Sequence, residues 1–414
     1  MNLDLITFYS SLHSKIELDK DREPLYKRLS SVFNLNIIEA YQYINVYNNS
    51  KDNASKCSLK VIFIASGGTE EMFLNLFPVL KEPFIILADS YHNSLAAAFE
   101  ICSWLDQQDI KHQLITVPFN LDDNFTETLV HYFSSYNKNE SLKDKLKNYK
   151  IGSIGGYSNW LIASHININS IIQRCMVVYE EINIDELTNI FNRQKNDRKE
   201  IALDPLVLKY KAFLLNVSQD SLEDSIIMYY AIKELCEIHK LNAITIKCFD
   251  LIKTCKTTAC LALAILNDNG IISGCEGDMA TLFSLIWLNI CTGQLGFMAN
   301  PSSIDKDNLS IDLAHCTIPL SLTSSFKLPS HFESKLGLGI QGEMPLGKYT
   351  LFKIGGHNLD NIIVCKGQLI ECQHINNRCR TQIRFKFDSE ASFIKFIDNR
   401  LGNHVVIAKG ELEF

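Results

Sequence analysis

The chain has 414 residues, 46% of them hydrophobic and 21% charged, with a formal net charge of −7 at pH 7. That length exceeds one ordinary core and calls for two or three domains. The acidic balance, with no run of Lys and Arg interleaved with aromatics, excludes a dedicated nucleic-acid binder, and no uncharged apolar stretch reaches the ~18 residues that would imply a membrane partner.

The opening MNLDLITFYSSLHSKIELDK carries charges throughout and no apolar centre, unlike a secretory leader. The 13 cysteines are scattered, odd in number and without a CxxC pair, so neither a disulfide framework nor a zinc ribbon is expected. They read as small buried apolar residues of a reduced, cytoplasmic protein.

Residues 1–50 read as helical, and a polar patch at 47–56 then leads to the first clear strand, 61–65. That strand ends at Ser66-Gly67-Gly68-Thr69. A second, 84–88, runs into Asp89 to Asn93, and a third covers 112–117. With the helical patterns between them they make a doubly wound α/β unit. The charged segment 137–150 marks a surface helix or a boundary. A further unit opens with Gly152, Gly155 and Gly156 and the group Ser158-Asn159-Trp160, and continues through a strand at 175–179. Neither glycine cluster is the GxGxxG fingerprint, which disfavours a nucleotide-dependent reductase.

The stretch 243–301 organises the chain. Short apolar runs at 243–249, 270–275 and 295–298 alternate with helical patterns at 258–266 and 279–291, the rhythm of a parallel sheet buried on both faces. Such sheets gather ligands beyond the carboxyl ends of their strands. Asp250, Glu276 and Asn300 are therefore expected together beyond three parallel strand ends. After residue 312 the pattern changes to strand-like pieces separated by Gly-rich turns, typical of an antiparallel sandwich or barrel. The expected division is 1–150, 151–312 and 313–414.

Glu276 is costly to bury without a positive partner, which favours a functional role. Asp278 precedes a helix and suits either an N-cap or acid–base and cation chemistry. Asn300 stands before Pro301, ordinary turn chemistry when taken alone. His315 and His404 each suit a satisfied core position or, as neutral imidazoles, a metal. Asp250 and Lys253 can touch a substrate or pair with each other, and His331-Phe332-Glu333 is a site element or a loop.

The segment CEGD, the helix ending at Thr292-Gly293, GFMAN and LAHCT form an ordered set over roughly 243–320, echoed by GNHVV near residue 404. This set resembles the L-fucose and L-arabinose isomerases. The resemblance implies two Rossmann-like domains followed by a mostly antiparallel β domain. It also implies a divalent metal, Mn2+ in the first instance, held by carboxylates and histidines, with Glu276 as catalytic metal-binding carboxylate and His315 and His404 as ligands. A small sugar would be the substrate, isomerised from aldose to ketose through an enediol. A homo-oligomer is implied, in which a neighbour's first domain helps close the site. Ser158 and Trp160, with His92 and Asn93, become candidate sugar contacts.

One departure stands out. Asn300 falls where that family places its second carboxylate, and an amide has no proton to exchange at neutral pH. Asp278, Asp305 and Asp250 are the candidates to replace it. The alternative is a sugar-binding or regulatory protein on the same scaffold, without turnover.

Overall fold

The computed structural model describes residues 2–43, 58–80, 84–147 and 149–413, and the chain divides into two compact units, Met1–Ser141 and Leu142–Phe414. The polar patch 47–56 lies outside the described residues.

The first unit is built on five strands: β1 (Asn2–Phe8), β2 (Asn34–Glu39), β3 (Ser58–Ile64), β4 (Phe84–Ala88) and β5 (His112–Thr116). They pair in parallel in the order β2-β1-β3-β4-β5. Successive side chains leave on opposite faces. Ile6, Phe8, Ile62, Ile64 and Ile86 enter one core with Phe73, Ile101 and Leu105, while Leu5, Val61, Phe63 and Leu87 enter another with Leu25, Leu29 and Leu129. Two apolar faces explain the unbroken hydrophobic runs. The helical reading of residues 1–50 needs correction: among the described residues there, the long helix Lys15–Val32 is flanked by strands β1 and β2. The charge-rich helix dominated the composition, and Asp4 disguised the alternating strand before it.

The second unit opens with four parallel strands: β6 (Lys150–Ile154), β7 (Val178–Ile182), β8 (Ala243–Ile246) and β9 (Ile272–Gly274), in the order β7-β6-β8-β9. The strand read at 175–179 lies three residues further on. Residues Ile168–Cys175 are helical, and Met176 ends that helix in the left-handed region. Helix Cys248–Cys255 follows β8 almost at once, so Asp250 sits in its first turn and not in a loop.

The chain then builds β10 (Phe297–Asp305), β11 (Ser310–His315), a two-stranded sheet of β12 (Ser325–Lys327) and β13 (Gln341–Glu343), β14 (Gly347–Gly355), β15 (Asn361–Cys372), β16 (Thr381–Phe387) and β17 (Val405–Lys409). Six of these strands close into an antiparallel barrel, β10-β11-β16-β15-β14-β17, which leaves no open edge. The antiparallel reading of the tail agrees with this.

The run 295–298 does not join β8 and β9 as a third parallel strand. It enters β10, which pairs antiparallel with β11 and β17. Phe297, Met298 and Ala299 are all buried, because the helix Met279–Thr292 and the barrel interior cover them from two sides. A strand buried on both faces reads alike in either setting. One core runs continuously through the four-stranded sheet and the barrel, linking Ile244, Leu263, Leu282, Phe297, Leu313 and Val406.

Candidate functional site

Strand β9 ends at Gly274, and the chain turns through Cys275 and Glu276 into the helix Met279–Thr292. Glu276 and Gly277 have φ of +62° and +68°, two consecutive left-handed residues. Glutamate adopts that conformation at an energetic disadvantage of about 1–3 kcal/mol, a strain that accumulates at functional sites. Gly277 has no alternative, since a Cβ there would overlap the carbonyl oxygen of Gly156. Its N–H donates to Ile246 O at 2.9 Å, which pins the turn to β8. The turn places the Glu276 carboxylate beside the barrel.

Three neighbouring barrel strands meet it. Asn300 of β10 pairs with Ala314 of β11, and Ala299 pairs with Val405 of β17. This register brings Asn300, His315 and His404 to one rim. Nε2 of His315 and Nε2 of His404 each lie 3.6 Å from Glu276 Oε1, and one ligand atom from each of the three residues falls within 4.8 Å of the others. Trp160, in the turn after β6, donates its Nε1–H to Glu276 Oε2 at 3.0 Å and is 49% exposed, so its indole stands at the site and not in a core. Sequence reasoning therefore named Glu276, Asn300, His315, His404 and Trp160, and the fold brings them together. The expected route differs, because a barrel strand supplies Asn300.

Asp278 takes the N-cap reading. It caps the helix, Oδ1 accepting Thr281 N–H at 2.8 Å, worth about 1 kcal/mol. Its other oxygen accepts Nδ1–H of His404 at 2.8 Å and the Thr281 hydroxyl at 2.7 Å, with Lys353 Nζ 3.5 Å away. Both the Asp278 and Lys353 side chains are sealed from water, at 0% and 1% exposure. Burial favours the neutral acid, yet the Lys353 ammonium and the His404 imidazole outweigh it and hold the Asp278 carboxyl below the carboxylate range. Asp278 is thus ionised and turned away from the pocket, and its role is to orient His404. Lys353 escaped the sequence reading, although a lysine inside the apolar strand TLFKIG was the available signal.

The two imidazoles differ in their second nitrogen. Burial opposes a charge on His404, but the Asp278 and Glu276 carboxylates raise its pKa; in the neutral ring Nδ1 donates to Asp278 and the lone pair falls on Nε2, which is buried with no hydrogen-bond partner. Oδ1 of Asn300 is also buried without a partner. Nδ1 of His315 accepts Thr317 N–H at 3.2 Å, which leaves the ring proton on Nε2, toward Glu276. Burial works to raise the Glu276 carboxyl, but the two imidazoles that face it, His315 foremost, prevail and hold it below its ordinary range. A carboxylate with an orphaned imidazole nitrogen and an orphaned amide oxygen is a donor set that suits a divalent cation. The hydrogen bond from His404 to Asp278 is the outer-shell support that metal-binding histidines usually have.

Beside this group lies a pocket lined among others by Glu276, Asn300, His315, Phe249, His331 and Glu333. Phe249 stands edge-on to both Trp160 and His331, at 5.1 and 6.0 Å between ring centres. Phe249 and the lining cysteines went unnoticed in the sequence, since apolar residues near a strand end give no signal of function.

The remaining candidates of the second unit are not among the residues that line this pocket. Asp250 pairs with Lys247 at 3.1 Å and Lys253 at 3.2 Å on the helix Cys248–Cys255, and neither Asp250 nor Lys253 lines the pocket. The Ser158 hydroxyl is buried and unpartnered, one turn from Trp160. Asp305 is bound to Asn308 in the turn at the far end of β10. In the first unit His92 pairs with Asp21 at 3.1 Å and Asn93 has φ of +58°. Among the described residues no helix is long and apolar enough to cross a membrane.

No family model matches the chain. It is 24% identical over 164 residues to a sulfoquinovose isomerase of Alkalicoccus urumqiensis, covering 38% of this chain and 37% of that protein. It is 29% identical over 134 residues to a sulfoquinovose isomerase of Clostridium sp. (strain MSTE9), covering 31% and 30%. The chain thus spans about a third of the length of the curated relatives it matches, and it is similar there to sugar isomerases.

Proposed function

We propose that this protein is an aldose–ketose isomerase that uses a divalent ion, Mn2+ in the first instance, at Glu276, His404 and Asn300, with His315 beside them. The observation that carries the reading is the convergence of Glu276 with two imidazoles and an orphaned amide oxygen at the junction of sheet and barrel. The likeness to sulfoquinovose isomerases supports it. When bound, the ion polarises the two oxygens on C1 and C2 of the sugar. Asp278 keeps the His404 lone pair aimed inward, His315 directs an N–H at the Glu276 side of the site, and Trp160 fixes the second Glu276 oxygen. Phe249 and the Trp160 indole offer apolar walls for a sugar ring.

Sulfoquinovose is the first substrate to test. The pocket lining contains two carboxylates, Glu276 and Glu333, and no Lys or Arg, so uncharged aldopentoses and aldohexoses belong in the same panel. Ketose formation that requires Mn2+ and is abolished by Glu276→Gln supports the reading. No turnover, with no heat of Mn2+ binding, refutes it. A homo-oligomer is part of this reading and is checked by light scattering.

A second reading, a sugar-binding protein without turnover, is favoured by the amide at Asn300. Measured sugar affinity with no ketose formed in Mn2+ would establish it.

A further inference from the structure

The isomerase reading leaves one role unfilled. Moving hydrogen from C2 to C1 needs a group that takes a proton from carbon and returns it. Glu276 is a poor choice, because Trp160 holds one oxygen and two imidazoles crowd the other. Asn300 has no exchangeable proton. The three aspartates considered as replacements are committed elsewhere: Asp278 to its cap, His404 and Lys353; Asp250 to two lysines; Asp305 to Asn308.

We infer that Glu333 is the proton-transfer residue of this site. It is the second carboxylate lining the pocket, and among the described residues it has no ion-pair or hydrogen-bond partner. The inference rests on the isomerase reading above. Glu333 sits on a loop anchored from both sides. His331, 7% exposed, receives Ser334 N–H on its Nδ1 at 3.3 Å, and its backbone N–H donates to Leu336 O at 3.3 Å. Arg380 donates to Ser330 O at 2.8 Å, and Phe249 packs edge-on against the His331 ring. The nearby Lys335 ammonium stands over the Phe332 ring at 4.8 Å, which leaves the Glu333 carboxylate free of a fixed cation.

The C2–H bond breaks and its proton goes to a Glu333 oxygen. The electron pair becomes the C1=C2 double bond, and the C1 carbonyl pair moves to O1, which takes the O2 hydroxyl proton. In the second half the O2 pair re-forms a carbonyl at C2, and C1 takes the proton back from Glu333. No oxidant or co-reactant is consumed.

The test is Glu333→Gln in the full chain with Mn2+, assayed on sulfoquinovose and on the uncharged aldoses. Expected are a fall in kcat of at least about 100-fold, a KM within about threefold, and retention of deuterium at C2 that native protein removes from that carbon. Calorimetric Mn2+ affinity should stay within about twofold, which a merely structural defect would not allow. Adding Asn300→Asp to the Glu333→Gln variant places a carboxylate back in the pocket and should recover at least about tenfold in kcat. A Glu333→Gln variant with native kcat on a turned-over aldose overturns the assignment and leaves the isomerase reading standing. A loss of kcat that tracks lost Mn2+ binding also overturns it. Native protein that converts no aldose refutes the isomerase reading, and the assignment falls with it.

Discussion

Nδ1 of His404 and Oδ2 of Asp278 stand 2.8 Å apart with both side chains at 0% exposure, and this buried pair decides which nitrogen of the imidazole faces Glu276. Asp278→Asn should keep the helix cap, because Asn serves as well there. It should also strand the Lys353 charge and release His404 to either tautomer. We expect Mn2+ affinity to drop about 10- to 100-fold by calorimetry. The urea midpoint should fall by the equivalent of about 3–5 kcal/mol, the usual result of removing one partner from a buried pair.

Asn300→Asp tests the donor set from the other direction. A second carboxylate beside Glu276 repels it when no ion is present and adds a charge to the ion's ligands when one is. Stability without metal should therefore fall, and Mn2+ affinity should rise by about tenfold, or ~1.4 kcal/mol. Thermal shift with and without Mn2+ measures both. An Mn2+ affinity unchanged by the substitution would place the ion away from residue 300.

Gly277→Ala should be among the most damaging single-methyl changes in the chain. The added Cβ meets the backbone oxygen of Gly156, which cannot turn aside, and φ of +68° disfavours alanine as well. A loss of at least about 2 kcal/mol in urea unfolding is expected, together with lost ion binding, since the same turn aims Glu276.

His239 offers a pH-dependent check far from the pocket. Its two ring nitrogens lie 2.7 Å from Glu186 and 2.7 Å from Glu180. The hydrogen bond to Glu186 raises its pKa foremost, against a smaller opposing effect of burial. A folded-state pKa above the unfolded value of about 6.5 means that the stabilisation is complete below that pH and fades as pH rises through the folded value. The gap in urea midpoint between native protein and His239→Gln should accordingly be wider at pH 6 than at pH 9.

Glu276 was legible from sequence because an acid between an apolar strand and a glycine has few structural excuses, and His315 and His404 only through the resemblance to the L-fucose and L-arabinose isomerases. Strands β3, β4, β5, β8 and β9 announced themselves as short apolar runs, whereas β1 and β2 were masked by the charge-rich helix between them. Other features were hidden for physical reasons. Phe297 to Ala299 look the same in a parallel sheet as on a barrel wall, so the origin of Asn300 was misread. Lys353 and Glu333 earn their significance from what surrounds them, strands or loops distant in sequence, and no local pattern encodes that.

Because the β9 turn supplies Glu276 while the rim of the barrel supplies Asn300, His315 and His404, an ion lodged between them would act as a rivet through two layers. Its binding energy would appear as resistance to their separation, about 2.7 kcal/mol at a concentration 100 times Kd. Chelation should then speed amide exchange along β9 and β17 first, before it is felt in the five-stranded sheet of the other unit.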